Sequence, residues 1–265
     1  HARGLGETAF LFMALTPGKI FLLCWLVYAL VLNRALFRRP PRSRNPHLFT
    51  RRLQSPLSLL VVGATGGTGI EIVQQALAQG HKVTAFVRDP TRLPLTHENL
   101  QIARGDVMDQ ASVNAAMRGQ DAVLCALGHK RFSYPTHILS EGTRHLLHAM
   151  KIYEVPRLVL ESSLGVSDAA GRLGIFGTLI AVPLLLPFYF WDRRRQERLV
   201  MHSEPDWVVV RPSVLTNGKA RGEYQHGNVG SYFLPTRVSR ADVAAFMLKQ
   251  LTDDTYLGAA PGICY

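Results

Sequence analysis

Cysteine is scarce in this chain. Its 265 residues hold three, Cys24, Cys125 and Cys264, far apart and odd in number. That excludes a disulfide framework and a cysteine-based metal spacing, and it fits a reducing compartment. Cys125 lies inside an apolar run and reads as inert core. Acidic residues are missing between Asn33 and Arg52, where seven arginines (34, 38, 39, 42, 44, 51 and 52) carry +7 of the net +11. The basicity is therefore local, which argues against a nucleic-acid surface spread over the chain. An unbroken apolar run of the ~20 residues needed for a clean membrane span is also missing. Ile20 to Leu32 supplies 13, with Trp25 and Tyr28 inside, and Thr16-Pro17-Gly18-Lys19 separates it from seven more at Ala9 to Leu15.

What is present at the N-terminus supports two readings. One is a single kinked transmembrane helix over residues 9–33; the other is a shorter interfacial or re-entrant helix. The arginines follow the apolar run, and only Arg3 and Glu7 precede it. A cleaved signal peptide has the opposite charge order. A mitochondrial or plastid targeting segment fits the arginine-rich, acid-poor composition, and the chain begins with His1 rather than Met. The expected organisation is a hydrophobic anchor over 1–37, a basic linker over 38–56 with Pro40, Pro41, Pro46 and Pro56, and a folded domain over 57–265. The positive-inside rule then sets that domain in the cytosol, stroma or matrix, with membrane lipid as a partner.

The folded domain announces itself at Leu59-Leu60-Val61-Val62, which runs into Gly63-Ala64-Thr65-Gly66-Gly67-Thr68-Gly69. An apolar strand, glycines spaced Gly-x-x-Gly-x-x-Gly and a following helix make a cradle for a dinucleotide pyrophosphate. Gly63 takes the sharp turn, Gly66 and Gly67 let backbone approach the phosphates, and Gly69 seats the helix on the sheet. Strands and helices then alternate, as expected for a parallel sheet covered on both faces. Strands are expected at 58–62, 82–87, 100–103, 121–126, 157–161 and 207–210. Helices are expected over 67–79, from Gln110, over 136–153 and over 240–251, the last capped by Ser239.

Ligand residues follow from strand ends. Arg88 and Arg92, just beyond the second strand, suit a 2′-phosphate and hence NADP; alternatively they are solvated surface arginines, and Asp89 keeps NAD use open. Asp106, before Val107, would accept from an adenine amino group or cap the next helix. Ala126-Leu127-Gly128 passes close to the nicotinamide side. Ser162 and Ser163 close the fifth strand, as ligand hydroxyls or as loop caps. The apolar stretch 172–191, broken by Pro183 and Pro187, covers a substrate pocket or rests on a membrane.

The order of these motifs resembles the atypical short-chain dehydrogenase/reductases, and within them the NAD(P)H-binding, NmrA-like group that contains the biliverdin-IXβ/flavin reductases. Besides the glycine loop, the likeness is carried by Val87-Arg88-Asp89, Arg92-Leu93-Pro94, Gly105-Asp106-Val107, Gly119-Gln120-Asp121-Ala122-Val123 and Ser140-Glu141-Gly142. It continues through Ala149-Met150-Lys151, Val238-Ser239, Asp242, Phe246-Met247-Leu248 and Tyr265. The resemblance implies one Rossmann-type doubly wound domain binding NADPH. Thr65, Gly67 and Thr68 would meet the phosphates, Arg88 and Arg92 the 2′-phosphate, and Ser163 would lie near the nicotinamide. A flat conjugated acceptor would take the hydride directly.

This chain departs from the pattern in two places. Ala241 stands where these reductases carry His, and the 172–191 stretch is far more apolar. The usual Tyr-x-x-x-Lys is replaced by Tyr189-x-x-x-Arg193, in which Tyr189 is an acid beside a cation or an interfacial aromatic. Two functions fit: a membrane-associated NADPH-dependent reductase of a lipophilic flavin, quinone or tetrapyrrole-like acceptor, or a non-catalytic NADPH-binding structural or sensor subunit with a membrane-complex partner.

Overall fold

The computed structural model describes residues 17–36, 53–129, 134–169 and 171–265. The first third of the expected kinked helix (9–16) and most of the arginine block and linker (37–52) lie outside these residues. Helix α1 (Pro17–Leu36) comes first, and the alternating domain follows with β1 (Ser58–Val62), α2 (Gly67–Ala78), β2 (Lys82–Val87) and β3 (Leu100–Arg104). Next are α3 (Gln110–Met117), β4 (Ala122–Cys125), α4 (Ile138–Ile152) and β5 (Arg157–Glu161). A π-helical stretch (Gly177–Leu185) leads to α5 (Pro187–Met201) and β6 (Asp206–Pro212). Then come β7 (Val214–Thr216), β8 (Gln225–Gly227), β9 (Arg237–Ser239), α6 (Arg240–Lys249) and β10 (Gly262–Cys264).

The main sheet runs β3-β2-β1-β4-β5-β6-β10-β8, parallel except for β8, while β7 and β9 pair separately. Strand periodicity explains the two layers around it, because successive side chains face opposite sides. On β1, Leu59 and Val61 join one core with Ile72 and Val73 of α2 and Val243 and Met247 of α6. Leu60 and Val62 join the other core, with Met117 of α3, Leu146 of α4 and Val200 of α5. β6 splits in the same way, Val208 and Val210 against Trp207 and Val209. Both faces being covered, the central strands read as continuous apolar runs, as parallel sheets do.

The expected strands agree with the observed ones to within a residue or two. The short strands β7 to β10 escape sequence reading because three residues carry no period. The strand order reverses between β1 and β4, which opens a crevice at their carboxyl ends.

The expected anchor is not evident in the fold. Among the described residues no single helix is long and apolar enough to cross a membrane. Gly174–Leu185 and Pro187–Met201 would qualify together by composition, but the chain bends by 99° between them. Asp192, Arg193, Gln196 and Glu197 of α5 are buried in the protein, so α5 belongs to the domain rather than to lipid.

The last strand and helix are tied together by one carboxylate. Asp242 accepts from the N–H groups of Arg221 (2.9 Å) and Gly222 (3.0 Å), from the Ser239 hydroxyl (2.8 Å) and from the Tyr265 phenol. Burial pushes its carboxyl up, yet these donors together hold it below the usual value of 3.8. A lowered carboxylate stabilises the fold fully above its unfolded-state value and loses that contribution as pH falls through the folded one. Asp242→Asn should therefore cost about 1–3 kcal/mol in urea unfolding at pH 7. The gap from wild type should narrow at pH 3, and a gap independent of pH would contradict this account.

Candidate functional site

The glycine loop sits at the carboxyl end of β1, and its geometry excludes side chains. Gly63 has φ +82°, and a Cβ there would lie 2.5 Å from the carbonyl oxygen of Ala126. A Cβ on Gly69 would lie 2.1 Å from the Gly63 oxygen. These two positions therefore demand glycine for close approach of β1, the loop after β4 and α2. The N-terminus of α2 has Gly66 as cap residue with no side-chain cap. Its first N–H groups thus face outward in the manner of an anion site.

Thr65 is half-buried, and Gly66 and Gly67 are exposed. Thr68 is turned the other way, its hydroxyl donating to Glu161 Oε1 at 2.9 Å, so its backbone N–H is what it presents to the loop. Arg240 was not singled out by sequence reading. Its side chain lies over Gly67, where a Cβ would meet Cδ at 2.6 Å and Nε at 2.7 Å, and its Nη1 donates to Asn217 Oδ1 at 2.5 Å. A cation thereby stands beside the loop. The only sequence signal for it was its position directly after the Ser239 cap.

At the other end of the crevice Arg193 joins two strand ends. Its Nη1 donates to the carbonyls of Glu161 (2.7 Å), at the end of β5, and Leu127 (3.2 Å), just beyond β4, and to Gln196 Oε1 (3.1 Å). Its Nη2 donates to the phenol oxygen of Tyr189. A guanidinium has only donors, so the Tyr189 oxygen accepts and its own proton is turned away from Arg193. Tyr189 is half-buried, with the His129 ring edge-on at 5.1 Å. Through Arg193 the Tyr189 side chain is held near the carboxyl ends of β4 and β5.

Glu161 is buried. Burial pushes its carboxyl up, while Arg193 and the Thr68 hydroxyl pull it back. Cys125 is buried and its thiol is pushed up to about 11 by that burial, in keeping with inert core.

Helix α5 is positioned by its inward polar face. Asp192 accepts from the N–H groups of Leu139 (2.9 Å) and Ser140 (3.1 Å), capping α4. Gln196 donates to Thr143 at 2.9 Å. Glu197, wholly buried, takes two bonds from Arg211 of β6 (2.9 and 2.8 Å) and the hydroxyls of Ser162 (2.6 Å) and Ser167 (2.8 Å). Burial works against the Arg211 charge, yet Glu197 and Asp168 raise its pKa further above its ordinary value. The hydroxyl of Ser162, expected at the ligand, is thus taken by a buried carboxylate that needs donors. Ser163 is half-buried and donates to the carbonyl of Leu164 at 2.9 Å. The spacing 192, 193, 196, 197, 200 on one helical face was the signal for this network.

The adenosine side is open. Arg88 and Arg92 are exposed beyond β2. Asp89 is turned to Thr91, accepting from its N–H (3.1 Å) and hydroxyl (2.7 Å), which hold its carboxyl below the usual range. The acid that kept ribose binding open is therefore engaged as a turn cap. Asp106 accepts from the Met108 N–H at 3.0 Å, and the cap of α3 is Asp109 instead, accepting from Ala111 and Ser112. Val107 is buried against Gly142, and Gly128 has open space about it. Among the described residues no group of His, Cys, Asp and Glu could hold a metal ion.

A family model described as NAD(P)H-binding matches residues 63–254. A 3-diazoavenalumate denitrifying reductase of Streptomyces is 34% identical over 222 residues, covering 77% of this chain and 71% of the relative. An uncharacterized chloroplastic protein of Arabidopsis thaliana is 32% identical over 181 residues, covering 62% of this chain and 61% of that protein. Among solved structures, the anaerobillin reductase ChuY of Escherichia coli O157:H7 shares the fold at TM-score 0.65 and 22% identity, covering 78% of this chain and 96% of the other. A short-chain dehydrogenase/reductase of Veillonella parvula, solved with NADP, shares it at 0.67 and 17% identity, covering 79% and 94%. With the glycine cradle at the β1/β4 switch point and the family match over residues 63–254, the chain belongs to the NAD(P)H-binding family.

Proposed function

We propose that the chain is an NADPH-dependent reductase of a flat, lipophilic conjugated acceptor of the flavin, quinone or tetrapyrrole kind. The observation that carries this reading is the Tyr189–Arg193 pair, held at the carboxyl ends of β4 and β5 and linked to the glycine cradle through Glu161. Two relatives named as reductases support it: the Streptomyces protein and the reductase pytE of Aspergillus terreus, 26% identical over 261 residues.

The cradle fits a dinucleotide because the missing Cβ atoms at Gly63 and Gly69 bring α2 close to β1, and because the α2 N-terminus has no side-chain cap. Bound NADPH would supply the hydride. The N–H groups of Gly67 and Thr68, with the Arg240 cation, would meet the pyrophosphate charge. Arg88 and Arg92 would grip the 2′-phosphate, the more so since Asp89 is turned to Thr91. At the acceptor end, Arg193 orients the phenol and Tyr189 donates the proton that balances the hydride, regaining one from solvent. The 172–191 stretch leads into Tyr189 and serves as an apolar wall for the acceptor.

NADPH oxidation with a panel of quinones, flavins and tetrapyrroles tests the reading. Stoichiometric turnover with at least one class is expected, and inertness beside tight NADPH binding would favour a structural or sensor role instead. Tyr189→Phe should lower kcat about 10²-fold with little change in cofactor affinity. Removing Arg88 and Arg92 together should lower kcat/KM for NADPH about 10²-fold while leaving NADH unchanged. Arg240→Ala should weaken NADPH and NADH alike, by roughly tenfold in Kd, and selective loss of one cofactor would remove Arg240 from the pyrophosphate.

A further inference from the structure

Three adjoining segments expose large apolar side chains. Helix α1 presents Phe21 (72% exposed) and Leu30 (69%) while Ala29 is buried, and the helix packs against Gly177–Leu185. The stretch 174–188 presents Phe176 and Leu185, both more than half exposed. The loop after β8 presents Phe233 (78%) and Leu234 (75%). It is bound to the second segment through Gly174 N–H to Ser231 O (2.8 Å) and Ile175 N–H to Phe233 O (3.2 Å). Large apolar side chains exposed on three adjoining segments mark an interaction surface.

We propose that this face docks on the interfacial layer of a bilayer containing anionic lipid, with α1 and the 174–188 stretch lying among the headgroups. The chain bends by 99° before α5, and the polar residues of α5 return into the protein, so the apolar stretch cannot run on as a span. Immersion by a few ångströms suits such a bent pair better than crossing. Trp25 and Tyr28 on α1, 5.5 Å apart, have the amphipathic rings favoured at headgroup depth.

Charge selects lipid over a second copy of the chain. Seven arginines and no acid occupy residues 33–52 directly after the apolar run. By charge alone, a segment with seven arginines and no acid is matched by anionic headgroups and not by another copy of the same basic segment. Anionic lipid marks the cytosolic side of a membrane, in keeping with the placement that the arginines imply for the domain. The proposal stands apart from the reductase reading, because lipid binding is measured without turnover.

Cys24 is exposed while Cys125 and Cys264 are buried, so an environment-sensitive fluorophore can be attached to α1 of the full chain selectively. With vesicles of phosphatidylcholine and phosphatidylserine, the fluorophore should shift to the blue and unlabelled protein should co-sediment. Binding should weaken with phosphatidylcholine alone and in high salt. Joint replacement of Phe233→Glu and Leu234→Glu should reduce vesicle affinity roughly tenfold or more at an unchanged melting temperature. Failure to bind the anionic vesicles overturns the proposal. So does a lipid-free oligomer, seen by analytical ultracentrifugation, whose fluorophore is already shifted and which ignores vesicles.

Discussion

A carboxylate removed from water must be given donors, and the burial of Glu197 organises one whole end of this molecule. Its two oxygens are met by Arg211 from β6 and by Ser162 and Ser167 from the turn after β5. Those bonds draw α5 onto the ends of two strands. Once α5 is seated, Arg193 falls across the carbonyls of Glu161 and Leu127, and Tyr189, one turn earlier, is delivered to the crevice. Breaking such a pair by removing one partner leaves a buried charge exposed to its own desolvation cost, about 3–5 kcal/mol. The network is thus a device for placing a phenol as much as for holding a fold.

The glycine positions of the cradle are fixed without that network, and this explains why they were legible in the sequence while the partners of the hydroxyls were not. Gly63 and Gly69 are dictated by local sterics: one needs positive φ, and both need the absence of a Cβ against neighbouring backbone. Local constraints of this sort leave a motif. Thr68 was expected at the phosphates from the family resemblance, and Ser162, from its place at a strand end, as a ligand hydroxyl or a loop cap. The directions of their hydroxyls are set by Glu161 and Glu197, which are 93 and 35 residues away in the chain. No local pattern encodes such a partner. Asp106 and Asp109 show the same limit on a smaller scale, since either could cap α3 and the backbone path chooses Asp109.

The apolar insert was read as pocket cover or membrane contact, and the structure separates its two halves. Val182 and Pro183 turn inward, with Phe190 of α5 and Val166 completing a small core around Val182, while Phe176 and Leu185 turn outward. One segment thus fills a small core and presents an apolar surface, because a bent helix has two sides with different neighbours. Sequence periodicity does not reveal this where nearly every position is apolar.

The cations of the crevice also differ in burial, and electrolyte acts on them unequally. Arg88 and Arg92 are exposed, so a phosphate held there is within reach of counterions, and its advantage falls as ionic strength rises. Arg193 is enclosed by carbonyls and packed side chains, where screening is weak. The contrast lets salt distinguish them: in the proposed reading, discrimination between the two nicotinamide cofactors would belong to the exposed, screened end, while the Arg193–Tyr189 contact is insulated from the medium.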